Sequence, residues 1–213
     1  MFQVADDLVF TKFEEDELQN PSPKKELDGR AIYLSRELEM IPGKPGAPVL
    51  CDFGSAMLGG IEHLEDVQPD IYRAPEVILG VPWSYSIDIW NVGCMIWDIF
   101  EGGSLFTGHD PEFQTYRSRA HLAEMINLLG PVPPSLLARA NQSQKFFYGT
   151  GEFREATLLQ DVIPLEQRET TLEGEDKVSF LRIMRRMLQW EPEKRSSAKE
   201  LAEDEWIRKQ IGL

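Results

Sequence analysis

Residues 86–101 read SIDIWNVGCMIWDIFE, with Ile87, Ile89, Trp90, Val92, Cys94, Met95, Ile96, Trp97, Ile99 and Phe100 following one another almost without interruption. A helix that is apolar on nearly all sides has no solvent face, so this spacing predicts a helix in the centre of a domain with other elements packed around it. Asp88 then stands at its start as a charge in an apolar neighbourhood. With 213 residues the chain is long enough to build the core this demands, in one domain or a little more. No run reaches the roughly 18 apolar residues of a membrane span, and Asp6 and Asp7 break the apolar opening that a signal peptide needs.

Upstream, the apolar run Val49 to Cys51 is bounded by Pro48 and ends in Asp52-Phe53-Gly54, which predicts a short buried strand followed by a turn. About twenty residues later Ala74-Pro75-Glu76 opens a helix-like segment, with Pro and Glu where a first turn tolerates both. This ordered pair, DFG then YRAPE, followed by Asp88-Ile89-Trp90, resembles the protein-kinase signature set. Within that family the DFGSA and PDIYRAPE forms, the acidic loop between them and the ELDGR lead-in are most similar to the Ser/Arg-rich-protein kinases of the cyclin-dependent and mitogen-activated group.

The resemblance implies a mainly α fold: a kinase-like C-terminal lobe over 49–207, a strand remnant and charged, Pro-rich excursion over 1–48, and a tail over 208–213. It implies that Asp52 holds the Mg²⁺ that bridges ATP phosphates, because a hard cation prefers carboxylate oxygens; the plainer alternative is a strand-ending Asp that satisfies backbone donors. Phe53 would pack inward, Gly54 would give the turn its freedom, and Tyr72, Arg73, Ala74 and Pro75 would close the activation segment. Glu76 would pair, buried, with Arg195 of the WEPEKR run, a structural contact suited to a planar guanidinium. Asp88 would anchor the catalytic loop, although a position near a helix N-terminus also stabilises it.

Two departures from the family bear on regulation and substrate. Between Gly54 and Tyr72 the only Ser or Thr is Ser55, so a phosphate-ordered loop lacks its acceptor and built-in contacts must order it instead. Pro69 stands where related kinases carry a Thr that bonds to the catalytic loop.

Several family elements are missing from these residues: a Gly-rich loop, a strand Lys of the VAIK kind, and a catalytic-loop Asp and Asn before Asp52. Met1 to Val4 resembles the strand just after that loop. The expectation is therefore a truncated lobe, without the N-terminal lobe or catalytic loop, with no catalytic residue of its own. The complete domain would transfer phosphate from Mg²⁺-ATP to Ser in basic proteins; this chain would bind neither tightly and would be marginally stable. A pseudokinase-like interaction module is the alternative.

Charge fits Arg/Ser-rich partners and argues against nucleic acid, for the net formal charge is −14; the acidic clusters at 14–17, 62–66 and 166–176 read first as solvated loop faces. Nothing points to a membrane. Cys51 and Cys94 lie in apolar runs without metal or disulfide spacing, which suits an intracellular, cytoplasmic or nuclear compartment. His63, His109 and His121 fall in loops or on helix surfaces with no ligand spacing, and the tryptophans read as core.

Elsewhere, residues 1–10 suggest a strand tail, 11–30 an exposed excursion, 32–35 a brief strand and 42–48 a turn-rich lead-in. Helices are expected over 119–130 and 134–140, a long connection over 141–174, an amphipathic helix over 180–189 and a serine-capped last helix from 196.

Overall fold

The computed structural model describes residues 3–4, 6–39, 46–160 and 163–212. The chain divides into two compact units, Met1–Ala56 and Met57–Leu213, so the DFG triplet belongs to the first.

In the first unit, α1 (Leu8–Gln19) begins where the Asp6 carboxylate accepts the Leu8 amide at 3.0 Å, and Glu, Lys and Leu carry the helix on. Strands β1 (Lys24–Leu27) and β2 (Arg30–Tyr33) form an antiparallel hairpin. Its two-residue turn is Asp28-Gly29, both at positive φ (51° and 74°), as a turn matching strand twist requires. These elements correct the strand tail over 1–10 and the unstructured excursion over 11–30. The charge of that stretch masked a helix-forming composition, and the Asp-Gly pair between alternating residues was a hairpin signal in plain view. The strand expected over Val49–Cys51 does not form: Leu50 is 83% exposed and Cys51 is exposed too. A short apolar run becomes a strand only when a neighbouring edge accepts it. Met1 and Phe2, half of the first strand of the family register, and Pro42, Gly43 and Pro45 of the lead-in lie outside the described residues.

The second unit is helical around one core. Helix α2 (Pro75–Leu79) has Pro75 in its first turn and ends at Gly80, whose φ of 67° releases the chain from the helix. Helix α3 (Ser86–Glu101) follows, closed in the same way by Gly102 at φ 72°. A small hairpin, β3 (His109–Asp110) and β4 (Thr115–Tyr116), leads into α4 (Ser118–Leu129). Helix α5 (Pro134–Arg139) forms where a second helix was expected, and the connection over 141–174 carries two short helices of its own, α6 (Ser143–Phe146) and α7 (Leu165–Arg168). Then come α8 (Gly174–Met187), α9 (Ala198–Ala202) and α10 (Glu205–Gln210). A capping box starts α9, with Ser197 and Glu200 satisfying each other's backbone amides.

Helix α3 is the axis of this unit, but only along one side. Ile87, Trp90, Cys94 and Trp97 are buried, and a Cβ on Gly93 would come within 3.1 Å of Leu188 and 3.2 Å of Met187, so glycine lets the end of α8 pack directly on the α3 backbone. The Trp90 and Phe106 rings stack 5.7 Å apart. The opposite stripe is open, with Val92 at 38%, Met95 at 42% and Ile99 at 62% exposure. Burial on nearly every side is thus corrected. Hydrophobicity permits contact all round, while only elements present in space can supply it. Four of the tryptophans, 83, 90, 97 and 190, are core residues.

Candidate functional site

The site is built on the stretch from Met57 to Leu79, folded back against the start of α3. Glu76 lies in the first turn of α2 with its side chain fully buried, and so does that of Arg195, which follows the turn Pro192–Lys194. The two meet in a fork, Nη1 to Oε1 and Nη2 to Oε2 both at 2.6 Å. Arg195 spends its other donors on backbone: Nε reaches the Gln189 carbonyl at 3.0 Å and Nη1 the Ser86 carbonyl at 2.9 Å. Its guanidinium also lies 5.2 Å over the Trp90 ring. One pair therefore ties α2 to α3 and to the turn before α9.

Between His63 and Ala74 the loop is held entirely by contacts within the chain. His63 and Trp83 exchange backbone hydrogen bonds at 3.1 and 2.9 Å, their rings lie 4.7 Å apart, and Trp83 Nε1 donates to the Glu65 carbonyl at 2.9 Å. Gln68 sits at φ 71°, a left-handed conformation that costs a side-chain-bearing residue about 1–2 kcal/mol. The bonds it makes offset that cost. Its amide oxygen accepts the buried Ala74 amide at 2.9 Å and its amide nitrogen donates to the Ile87 carbonyl at 2.8 Å, so it spans from the loop to α3. Arg73 fills the concavity, donating to the Val67 carbonyl at 3.3 Å and pairing with Asp66 at 3.3 Å and Asp70 at 3.1 Å. Tyr72 donates to Asp98 Oδ2 at 2.7 Å, and Asp98 also accepts from Ser104 Oγ and the Leu105 amide. That hydrogen bond, with burial, pushes the Tyr72 phenol up to about 12, so it remains a donor at neutral pH.

Gln68 and Asp98 were not singled out from the sequence. A carboxylate inside an apolar helix must find donors, which is the signal Asp98 gave. Gln68 gave none, since its role depends on a backbone conformation that only the folded loop imposes.

Two effects are expected here. Gln68→Ala strands a buried amide and a carbonyl and loosens 66–74 by about 1–3 kcal/mol, while Gln68→Gly recovers part of this by relieving the positive φ; faster amide exchange in 66–74 for Ala than for Gly is the check. Tyr72→Phe removes a hydrogen bond to a charged acceptor, about 1.5–3 kcal/mol, read as a lower denaturation midpoint.

The remaining sequence candidates fall elsewhere. Asp52 is exposed at φ 64°, and Phe53 is 65% exposed in the single turn Phe53–Ser55, so the inward packing expected of Phe53 is not observed. A strand end that does not pair cannot turn its following residue inward. Among the described residues no three carboxylate, imidazole or thiol groups converge to hold a metal ion. One exposed carboxylate, Asp52, is not by itself a cation site. Asp88 is exposed on the open side of α3, and partial desolvation raises its carboxyl above the usual range. The histidine reading also changes: His63 is 6% exposed and His121 is completely buried. Helical spacing placed residue 121 on α4 but not which side of α4 meets the core.

Residues 40–207 match the family model described as the protein kinase domain. The chain belongs to the protein kinase family. This kinase chain is 45% identical over 206 residues to a serine/threonine protein kinase of Aspergillus fumigatus, covering 95% of the chain and 51% of the relative. It is 39% identical over 158 residues to the dual specificity protein kinase CLK2 of Mus musculus, 71% of the chain and 30% of that protein. With the serine/threonine-protein kinase SRPK of Physarum polycephalum it shares 33% over 183 residues, 83% of the chain and 41% of the relative. These relatives match the resemblance to the Ser/Arg-rich-protein kinases read from DFGSA and PDIYRAPE. The chain spans about half the length, 51%, of the first of these curated relatives. Its mostly helical architecture with few strands is compatible with a kinase-like fold. Protein kinases use Mg²⁺ and ATP.

Proposed function

We propose that this chain is the C-terminal-lobe part of a serine/threonine protein kinase that phosphorylates Ser in Arg/Ser-rich proteins, and that these residues alone do not transfer phosphate. The observation that carries the reading is an activation segment ordered by Gln68, Arg73 and Tyr72 with no phosphorylatable hydroxyl between Ser55 and Tyr72. Such a segment is ready to receive a substrate without a prior phosphorylation. Glu62, Glu65, Asp66 and Asp70 are all exposed and outnumber Arg73, which pairs with the last two, so the stretch keeps a negative surface suited to a basic peptide. In the complete domain Asp52 would hold Mg²⁺, Asp88 would anchor the catalytic loop, and the lobe would extend over 49–207. A reducing intracellular compartment suits the free thiols of Cys51 and Cys94.

Transfer moves the γ-phosphoryl of ATP to a serine oxygen, releases ADP and requires a base for the hydroxyl proton. Nothing before Asp52 in this sequence matches the catalytic-loop motif that furnishes that base. The test is phosphorylation of an Arg/Ser-rich peptide by the purified chain and by a version extended to the length of its relatives. The expected result is turnover only by the longer protein. Turnover by this chain alone overturns the non-catalytic part of the reading, and an inactive longer protein that still binds the peptide favours an interaction module. The open stripe Val92, Met95 and Ile99 on α3 is the observation on that side.

A further inference from the structure

Ser22-Pro23 is the only Ser-Pro or Thr-Pro pair among the 213 residues, and Lys24 and Lys25 follow it directly. The link Asn20-Pro21-Ser22-Pro23 joins α1 to β1, and its two prolines bias the residue before each toward an extended chain. Pro23, Lys24 and Lys25 are exposed. Strand β1 pairs with β2 alone, so its other edge is open, and Lys25 has no ion pair among the described residues. Ser22 is held by a single side chain. Its amide donates to Glu17 Oε1 at 2.6 Å and its hydroxyl to Glu17 Oε2 at 2.8 Å. The same Oε2 pairs with Arg36 Nη1 at 3.1 Å, and Arg36 Nη2 donates to the Asn20 carbonyl. Glu17 therefore ties the last turn of α1 to the link and, through Arg36, to the chain after β2. Arg36 borders a cleft of about 310 Å³ that Lys12 and Glu39 also line, which gives its guanidinium room to turn.

We propose that Ser22 is a phosphorylation site for a separate, proline-directed protein kinase, and that its phosphate takes Arg36 from Glu17 and opens the end of α1. Pro23 has no amide hydrogen, so an apolar pocket accepts it without stranding a donor, and Lys25 offers a positive charge three residues beyond the hydroxyl. In the transfer the Ser22 oxygen bonds to the γ-phosphorus of Mg²⁺-ATP, the bond from that phosphorus to the β,γ-bridging oxygen breaks, ADP leaves, and the serine proton passes to a base of that enzyme. The product replaces a hydroxyl donor by a group of about −2 charge. It cannot keep the hydroxyl's bond to Glu17, it repels that carboxylate, and it stands past the C-terminal end of α1, where the helix dipole disfavours an anion. Because Ser22 Oγ and Arg36 Nη1 share one oxygen of Glu17, the new phosphate oxygens form within reach of the guanidinium, whose planar fork suits them. The switch lies in the unit that also carries Asp52, Phe53 and Gly54, and it is independent of what the extended protein phosphorylates.

The test incubates the purified chain with Mg²⁺-ATP and a cyclin-dependent kinase and maps the phosphate by mass spectrometry. The expected result is phosphate on Ser22, added about tenfold or more faster than to Pro23→Ala, and none on that peptide in Ser22→Ala. A chain left unmodified at Ser22, or Pro23→Ala modified at the same rate, overturns the site. Phosphate on Ser22 with no kinase added overturns the separate enzyme, and the non-catalytic reading of this chain with it. In the modified chain, phosphorus NMR follows the phosphoserine titration, which is expected about 1 pH unit lower in wild type than in Arg36→Gln. Amides 17–20 are expected to exchange about tenfold faster than before modification, with α8 unchanged. Equal titration midpoints overturn the transfer of Arg36 to the phosphate, and unchanged exchange at 17–20 overturns the opening of α1. Should Arg36→Gln not fold, the Arg36 Nε–H signal of the wild type decides: a shift that follows the phosphate titration supports the transfer, and none refutes it.

Discussion

Arg195→Ala lowers the stability of the helical unit by about 3–5 kcal/mol, because it leaves the Glu76 carboxylate buried with its charge uncompensated. In a domain of this size that is a fall of roughly 6–20 °C in melting temperature. Three further features make this the largest single effect expected. The Gln189 and Ser86 carbonyls lose their donor, the Trp90 ring loses the cation over its face, and α2 is released from α3. Arg195→Lys recovers only part, since a lysine ammonium cannot reproduce two parallel bonds at 2.6 Å. Replacing both partners together, Glu76→Gln with Arg195→Met, costs less than Arg195→Ala alone, because no buried charge remains. Thermal melts of the four proteins check this. A double variant no more stable than Arg195→Ala would contradict the stranded-charge account.

The second large effect is on acid stability. Burial, with the Arg73 charge adding to it, pushes the His121 imidazole down to about 3, and the Asp70 backbone opposes this only in part. In the unfolded chain the same ring titrates at about 6.5. Between those values the unfolded chain binds a proton that the folded chain refuses. The contribution of the neutral ring is therefore fully present above about pH 6.5 and is lost as pH falls toward 3, by up to about 1.4 kcal/mol per unit. At pH 4 the loss is on the order of 3 kcal/mol. Asp110, held down to about 2 by Arg119, loses its contribution only below the ordinary carboxylate range, so the two effects separate on the pH axis. Urea titrations from pH 7 to 4 on wild type and His121→Gln isolate the histidine. Parallel pH profiles for the two proteins would show that His121 is not the group responsible.

The parts of this molecule that were legible in the sequence are those fixed by local chemistry. The helices expected over 119–130 and 134–140 form as α4 and α5, a serine caps α9, and the inward side of α8 follows from the period of Leu181, Ile183, Met184 and Met187. Motif order placed the chain among kinases and pointed to Glu76 and Arg195 as partners, although 119 positions separate them. Where reading by period failed, the missing information was the neighbour. The run Val49–Cys51 has strand composition and forms no strand, and α3 is apolar all round yet open along Val92, Met95 and Ile99.

The candidate site divides in the same way. The absence of a phosphorylatable hydroxyl between Ser55 and Tyr72 told that this stretch must be ordered by its own contacts, but not which ones. Gln68 had to adopt a left-handed backbone before its amide could reach both Ala74 and Ile87, and His121 had to turn toward Phe106 and Tyr116 before its charge state meant anything. The sequence by itself determined the family, the apolar side of α8 and the electrostatic character, because each is written in residue types at short spacing. Only the tertiary structure decided which polar groups are buried and with whom, because desolvation and hydrogen-bond partnership depend on atoms that distant parts of the chain bring within a few ångströms of one another.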